Sequence, residues 1–293
     1  RKKKKTSSSI IIYAHKNKRS NLLIYDSINK ILLKNDILAP KLLSQNYSKK
    51  YIEVDDFGKS TLFGFLKKKS TNKSTTFKKI IKLLIKLQLI RQRNIKNFQN
   101  KYYKIPLYTK KILFEEAKLF SEWYVKKKLS KTKQLIFKKK FINIIKNLIK
   151  KLRLKNNILV HRDFHVSNLM MVKKEIGVID TQDALIGNKV YDLASLIDDV
   201  RFETSNNFKK SLYKYYLDSQ KNLNKEYFKN DFEIISVLRN LKIIGIFTRL
   251  AVRDNKKKYL KLIPYTWDLI RLRSKNNGKF NNLNDLLNSL KID

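Results

Sequence analysis

Residues 158–180 read ILVHRDFHVSNLMMVKKEIGVID, and this stretch decides both the fold and the chemistry of the 293-residue chain. Residues 158–160 are an apolar run of strand length, 161–168 a polar loop, and 169–172 and 176–179 two more strands closed by a Lys-Lys-Glu turn. Asp163, Asn168 and Asp180 thereby fall at strand ends that face one point. Phosphoryl transfer needs a carboxylate to orient and deprotonate the attacking hydroxyl. It also needs oxygen ligands for the magnesium that bridges nucleotide phosphates. Asp163 suits the first role, and Asn168 with Asp180 the second.

Upstream, Phe77, Ile80, Ile81, Leu84 and Leu87 recur at helical spacing, and Phe141, Ile145, Leu148, Ile149 and Leu152 repeat the pattern just before the quoted stretch. Their opposite faces carry lysines, as membrane-surface helices do. The stripes sit inside a continuous globular pattern, however, and read as helices packed on a core. Residues 206–235 and 256–262 continue at helical intervals, and Leu283, Leu286, Leu287 and Leu290 mark a last helix. The front differs, because residues 9–14 and 21–25 read as strand or strand-helix material and 43–54 is another short apolar segment, so this part leans toward strand. The pattern predicts an α+β chain with a small β-rich part over residues 1–54 and a larger helical part over 55–293.

Acidic residues are scarce, 24 against 67 basic ones, yet Asp180, Asp183, Asp192, Asp198 and Asp199 gather with Lys189 the only base among them. Asp180 and Asp183 are placed to face a cation or a substrate. Asp192, in the helix start Tyr191-Asp192-Leu193-Ala194, is placed as a cap or as a brace for the loop. Asp198 and Asp199 read as solvated helix surface. His161 and His165 flank Asp163, but zinc-binding pairs four apart sit on helices and this segment is loop. His161 therefore reads as an anchor bonded to backbone. Asp56-Phe57-Gly58 spells the metal-binding triplet of protein kinases, but it precedes the His-Arg-Asp segment and so reads as a turn. His165 stands where protein kinases carry Lys, and no Ala-Pro-Glu follows, which disfavours protein substrates.

The segments His161-Arg-Asp-Phe-His-Val-Ser-Asn168, Ile179-Asp-Thr-Gln-Asp-Ala184 and Tyr191-Asp-Leu-Ala194 together resemble the aminoglycoside phosphotransferase superfamily. Within it, three further stretches resemble the bacterial amino-sugar kinases that act on N-acetylmuramate and N-acetylglucosamine at the anomeric position in cell-wall recycling. These are Glu116-Ala-Lys-Leu-Phe-Ser-Glu-Trp123, residues 187–196, and Ile246-Phe-Thr-Arg-Leu-Ala-Val-Arg-Asp254 followed by Tyr259-Leu260.

The resemblance implies a two-lobed kinase-like fold, ATP as donor and Mg2+ as cofactor. It implies Asp163 as catalytic base, Asn168 and Asp180 as magnesium ligands, and the backbone of Ile52, Glu53 and Val54 as a hinge holding adenine. Glu116, Asp183, Arg249 and Arg253 become substrate-side candidates, with the alternative that the two arginines pair with acids on one helix face. Departures lie at the front. No Gly precedes Gly58, so the first strands and nucleotide loop are expected to be missing or reduced to an edge at residues 1–6. Ile10-Ile-Ile-Tyr-Ala14 holds no anchoring Lys, the nearest being Lys16 and Lys18. The expected activity is ATP-dependent phosphorylation of a small-molecule hydroxyl. An amino sugar is favoured over choline, homoserine or an aminoglycoside, and over a non-catalytic basic binding protein.

Composition bounds this reading. A hydrophobic content of 42% with 16 Phe and 15 Tyr excludes a disordered chain. The formal charge of +43 would ordinarily point to nucleic acid. Its lysines are spread through nearly every segment among Ile and Asn, as expected of an AT-rich coding sequence, and no reading motif accompanies them. No specific nucleic-acid partner is expected. The absence of Cys excludes a disulfide framework or thiolate metal site and fits a cytoplasmic location. No stretch approaches the roughly 18 uninterrupted apolar residues of a membrane span. The chain begins with Arg rather than Met, which reads as a fragment or processed product.

Overall fold

The computed structural model describes residues 8–15 and 18–290, so the expectations placed on residues 1–6 and on Lys16 lie outside the described residues. In chain order the front holds β1 (Ser9–Tyr13), α1 (Ser20–Lys34), β2 (Leu42–Asn46), β3 (Tyr51–Asp55), α2 (Leu62–Leu66), α3 (Lys73–Leu89), β4 (Asn94–Lys96) and β5 (Tyr102–Lys104). Then come α4 (Lys110–Leu119), a π-helical turn (Phe120–Val125), α5 (Lys126–Lys128) and α6 (Lys131–Lys150). The quoted stretch follows as β6 (Asn156–Val160), β7 (Leu169–Val172) and β8 (Glu175–Val178), before β9 (Leu185–Asn188) and α7 (Tyr191–Ile197). The chain closes with α8 (Asn206–Asp218), α9 (Lys225–Val252), α10 (Ile263–Ser274) and α11 (Asn281–Asn288).

Contacts divide these elements into two compact units. One comprises residues up to Leu107 with Asn157–Leu196, the other Tyr108–Asn156 with residues from Ile197 onward. The expected boundary after Val54 is not the one the contacts follow. The reason is hydrogen bonding, since the Met171 and Val178 amides donate to the carbonyls of Ser60 and Leu38, each at 2.8 Å. These bonds tie the loop stretch to the front of the chain.

In the first unit, β3 is the middle strand of a three-stranded antiparallel sheet ordered β1-β3-β2, pairing Ile10 with Val54 and Ile12 with Ile52. Ala14, Leu22, Tyr25, Ile52 and Val54 form the core beneath it. Between the strands lies α1, where the sequence pattern read as strand or strand-helix over 21–25 and left the rest unassigned. It buries Leu22, Tyr25, Ile28, Ile31 and Leu32, but also Asp26, Ser27 and Asn29, so no clean apolar stripe shows in the sequence. The helices read from periodicity stand as expected, α3 burying Phe77, Ile80, Ile81, Leu84 and Leu87. The hairpin β7–β8 pairs Leu169 with Val178 and Val172 with Glu175.

In the second unit, α9 is buried on almost every side and supports α4, the π-helical turn and α10. Gly245 makes this possible, because a Cβ there would lie 2.4 Å from the Leu119 carbonyl carbon and 2.7 Å from the Phe120 nitrogen. Asp198 and Asp199 belong to buried structure rather than to the expected solvated surface, being 0% and 2% exposed. The Arg273 guanidinium grips Asp198 through Nε to Oδ2 (2.9 Å) and Nη2 to Oδ1 (2.8 Å), and the Ser236 hydroxyl donates to Oδ2 at 2.6 Å. That partner lies 75 residues away in sequence, which is why no local pattern revealed the pair.

Burial alone would raise the Asp198 pKa, but Arg273 and Ser236 outweigh it and hold the carboxyl below its ordinary value. Lys209 stands 4.0 Å from a carboxylate already bound to Arg273, so burial dominates there and lowers its pKa. A carboxylate depressed on folding adds stability above its unfolded pKa of about 4 and loses it as pH falls through the lowered folded value. The urea midpoint should therefore decline below about pH 4. Asp198→Asn should show a shallower decline, and an identical acid limb in both proteins would remove Asp198 from the account.

Candidate active site

The quoted stretch is held rigidly by polar bonds within the first unit. Asp192, 1% exposed in the first turn of α7, accepts the His161 amide at Oδ2 (2.7 Å) and the Arg162 amide at Oδ1 (2.9 Å). Arg162 sits at φ +75°, a conformation that a long side chain adopts only when its surroundings enforce it. The Arg162 guanidinium then donates to the Asp183 carbonyl at 3.2 Å. His161 donates from Nε2 to the Ile179 carbonyl at 2.9 Å, the tautomer being set by an acceptor that carries no proton.

These bonds bring Asp163, Asn168 and Asp180 onto neighbouring backbone. The Asp163 carbonyl accepts both the His165 amide (3.0 Å) and Nδ2 of Asn168 (3.1 Å), while the Ile179 amide donates to the Asn168 carbonyl at 3.1 Å. With Nδ2 turned to Asp163, Oδ1 is the atom Asn168 retains for a cation. Asp180 follows at φ +61°, and its Oδ1 accepts from Gln182 at 2.8 Å. A carboxylate and an amide oxygen are hard donors. Two of them would suit a hard divalent cation such as magnesium.

Asn168 and Asp180 border a cavity of about 580 Å³ inside this unit. Its apolar wall includes Ile12, Val54, Phe57, Met170 and Ile179, and the polar groups at its rim include His15 and Lys18. Such a mixture suits a flat heteroaromatic ring joined to an anion. Ile52, Glu53 and Val54, expected as a hinge, lie in the middle strand β3. Pairing on both edges of β3 commits the backbone groups of these residues, and Ser9 and Ser44 occupy the Glu53 carboxylate. Of the three, only Val54 reaches the cavity, by its side chain, and the segment beside it is Asp55, Phe57 and Gly58. Asp56-Phe57-Gly58 is a turn as expected, with Gly58 at φ +75° donating to Asp56 Oδ1 at 2.7 Å. It also has a packing role, because the Phe57 ring lies over Gly177, where a Cβ would come within 2.6 Å.

Sequence reasoning missed the support behind Asp180. The Thr181 hydroxyl donates to Asn29 Oδ1 at 2.6 Å, and Asn29 Nδ2 donates to the Pro40 carbonyl at 2.9 Å. Tyr25, one turn before Asn29 on α1, lines the cavity. Burial pushes its pKa up, a hydrogen bond with Asn29 pulls it down, and the Asp180 carboxylate adds to the rise. The spacing of Tyr25 and Asn29 was the available signal, legible only once the segment is known to be helical.

The other candidates are distributed unevenly. Asp183 is exposed beside Arg162 in the first unit, with 59% of its side chain accessible. Glu116, Arg249 and Arg253 belong to the second unit. Glu116 accepts from the Tyr108 hydroxyl and pairs with Lys242 Nζ at 3.0 Å, so both its oxygens are engaged. Arg253 is exposed and bound to its neighbour Asp254 at 2.7 and 3.0 Å. Arg249 differs, because its buried Nε has no partner among the described residues.

Residues 69–226 match the phosphotransferase enzyme family. A relative named N-acetylmuramate/N-acetylglucosamine kinase, from Neisseria meningitidis serogroup B, is 30% identical over 246 residues, covering 80% of this chain and 70% of the relative. A protein of the same name from Pseudomonas putida is 27% identical over 252 residues, covering 84% and 71%. Among solved structures, the AMP-bound complex of spectinomycin phosphotransferase APH(9)-Ia superposes with a TM-score of 0.57 at 15% identity, covering 93% of this chain and 89% of that one. At that identity the likeness establishes the kinase-like α+β fold.

Proposed function

Because the chain belongs to the phosphotransferase enzyme family, we propose that it is a small-molecule kinase that moves the terminal phosphoryl group of ATP to the anomeric hydroxyl of an amino sugar in cell-wall recycling. The observation that carries this reading is the pair of N-acetylmuramate/N-acetylglucosamine kinases, similar to this chain over 80% and 84% of its length.

The residues of the first unit divide the work. The apolar cavity takes the adenine ring, with Val54 and Phe57 against it and the backbone after β3 at its edge. Asn168 and Asp180 would hold magnesium, which when bound would offset negative charge on the phosphate oxygens. Asp163 accepts the proton of the attacking hydroxyl, and an anomeric hydroxyl, more acidic than an ordinary alcohol, needs no stronger base than a carboxylate. Asp192 keeps the loop in place, and Asp183 is the acceptor-side residue of this unit.

A cationic acceptor such as choline would need an acidic pocket. Of the five clustered acids only Asp180 and Asp183 are exposed, since Asp192, Asp198 and Asp199 are buried. That weakens the alternative. The test is an acceptor panel with ATP and magnesium: N-acetylmuramate, N-acetylglucosamine, choline, homoserine and an aminoglycoside. The expected result is the highest kcat/KM for the amino sugars, with an acid-labile anomeric phosphate as product. A preference for choline or an aminoglycoside would overturn the assignment.

A further inference from the structure

The segment KKKLSKTKQLIFKKK, residues 126–140, carries eight lysines in fifteen positions, more than twice the density of basic residues in the whole chain. No acidic residue occurs between Glu122 and Asp163 to offset them. All eight lysines are exposed. Charge of this kind would be compositional noise were it not for two side chains among them, Leu135 and Ile136, which are 71% and 56% exposed on the outer face of α6. They contribute nothing to the stripe that anchors this helix, which is Phe137, Phe141, Ile145, Leu148 and Ile149.

Helical spacing sets the surroundings of this pair. Positions three and four away from Leu135 include Lys131, Lys138 and Lys139, and those from Ile136 include Lys133, Lys139 and Lys140. Two aliphatic side chains in water, ringed by lysines on a helix otherwise fixed to the core, match one kind of partner. We propose that this face of the second unit docks on an anionic lipid bilayer. Leu135 and Ile136 enter the boundary between headgroups and acyl chains, and the lysines meet the anionic headgroups. Nucleic acid would reward the lysines but not the aliphatic pair, and the segment presents no Arg and no exposed aromatic ring for base stacking. No helix of the described residues is long and apolar enough to cross a membrane, so the contact is peripheral.

The test is co-sedimentation of the full chain with vesicles of phosphatidylcholine alone or mixed with phosphatidylglycerol, at about 0.15 M salt. Because the net charge alone draws the chain to anionic surfaces, variants must separate the face from the charge. Leu135→Ser with Ile136→Ser leaves charge unchanged and should lower the partition coefficient by about tenfold or more. Lys138→Gln, Lys139→Gln and Lys140→Gln together should lower it by about 10²-fold. The same triple change at the exposed Lys67, Lys68 and Lys69 should leave it within about twofold. The proposal fails if the serine variant binds like the wild type, if the two lysine triplets are equivalent, or if anionic vesicles are not bound. Equal retention of poly(dT) by the wild type and the serine variant, together with loss of vesicle discrimination, would assign the face to nucleic acid instead.

Discussion

Asp163→Asn should lower turnover by about 10² to 10⁴ while leaving nucleotide affinity close to that of the wild type. The asymmetry follows from how the loop is built. Its shape depends on main-chain groups: the Asp163 carbonyl accepts two hydrogen bonds, and Asp192 holds the amides just before it. Those bonds run through the Asp163 main chain and the Asp192 carboxylate, and Asn is isosteric with Asp, so the substitution retains them. Asn168 and Asp180, proposed to hold the magnesium of the bound nucleotide, are untouched. What the variant loses is a group able to accept a proton. Steady-state kinetics on the best acceptor would give the turnover, and calorimetric titration with an ATP analogue and magnesium the affinity. Unchanged turnover would remove Asp163 from the chemistry. Loss of affinity and turnover together would show instead that its carboxylate shapes the nucleotide site.

What the sequence made legible follows the range of the interactions that shape each part. The β7–β8 hairpin was readable to within a residue because alternation and a Lys-Lys-Glu turn specify it locally. The stripes of α3 and α6 were readable for the same reason, since each buries one face against a core. Three features depend on partners far away and were not. α1 hides its helical period because Asp26 and Asn29 are buried, and Asn29 is satisfied by Thr181 at a distance of 152 residues. The resemblance implies a hinge at Ile52, Glu53 and Val54, and nothing in a short apolar strand says that both of its sides will be paired. Asp198 read as surface because Arg273 is visible only in the folded chain. Asp163, Asn168 and Asp180 could be picked out together because they fall within eighteen positions of one stretch, and the bonds that draw them near, Asn168 Nδ2 to the Asp163 carbonyl and the Ile179 amide to the Asn168 carbonyl, are local as well.

Asp192 is where local and distant forces meet, and Asp192→Ala should be the more damaging change to the folded state. Its carboxylate satisfies two amides at once, those of His161 and Arg162, in a setting that is almost entirely buried. Removing it leaves two N–H groups without an acceptor, each costing about 1–3 kcal/mol, so a loss of about 2–6 kcal/mol is expected. For a chain of this size that corresponds to a Tm lower by about 3–10 °C. The strained Arg162 backbone adds a functional consequence, because φ +75° at that residue persists only while both amides are held. Released, the loop should relax toward negative φ and carry Asp163 with it. Turnover at a temperature where the variant is still folded should then fall by more than the folded fraction accounts for. Asp192→Asn is the discriminating companion, since its amide offers one acceptor oxygen and presents a donor to the other N–H. It should retain part of the stability yet little of the turnover. An alanine variant with the wild-type melting temperature would show that water replaces the carboxylate, and the clamp would then have no part in holding the loop.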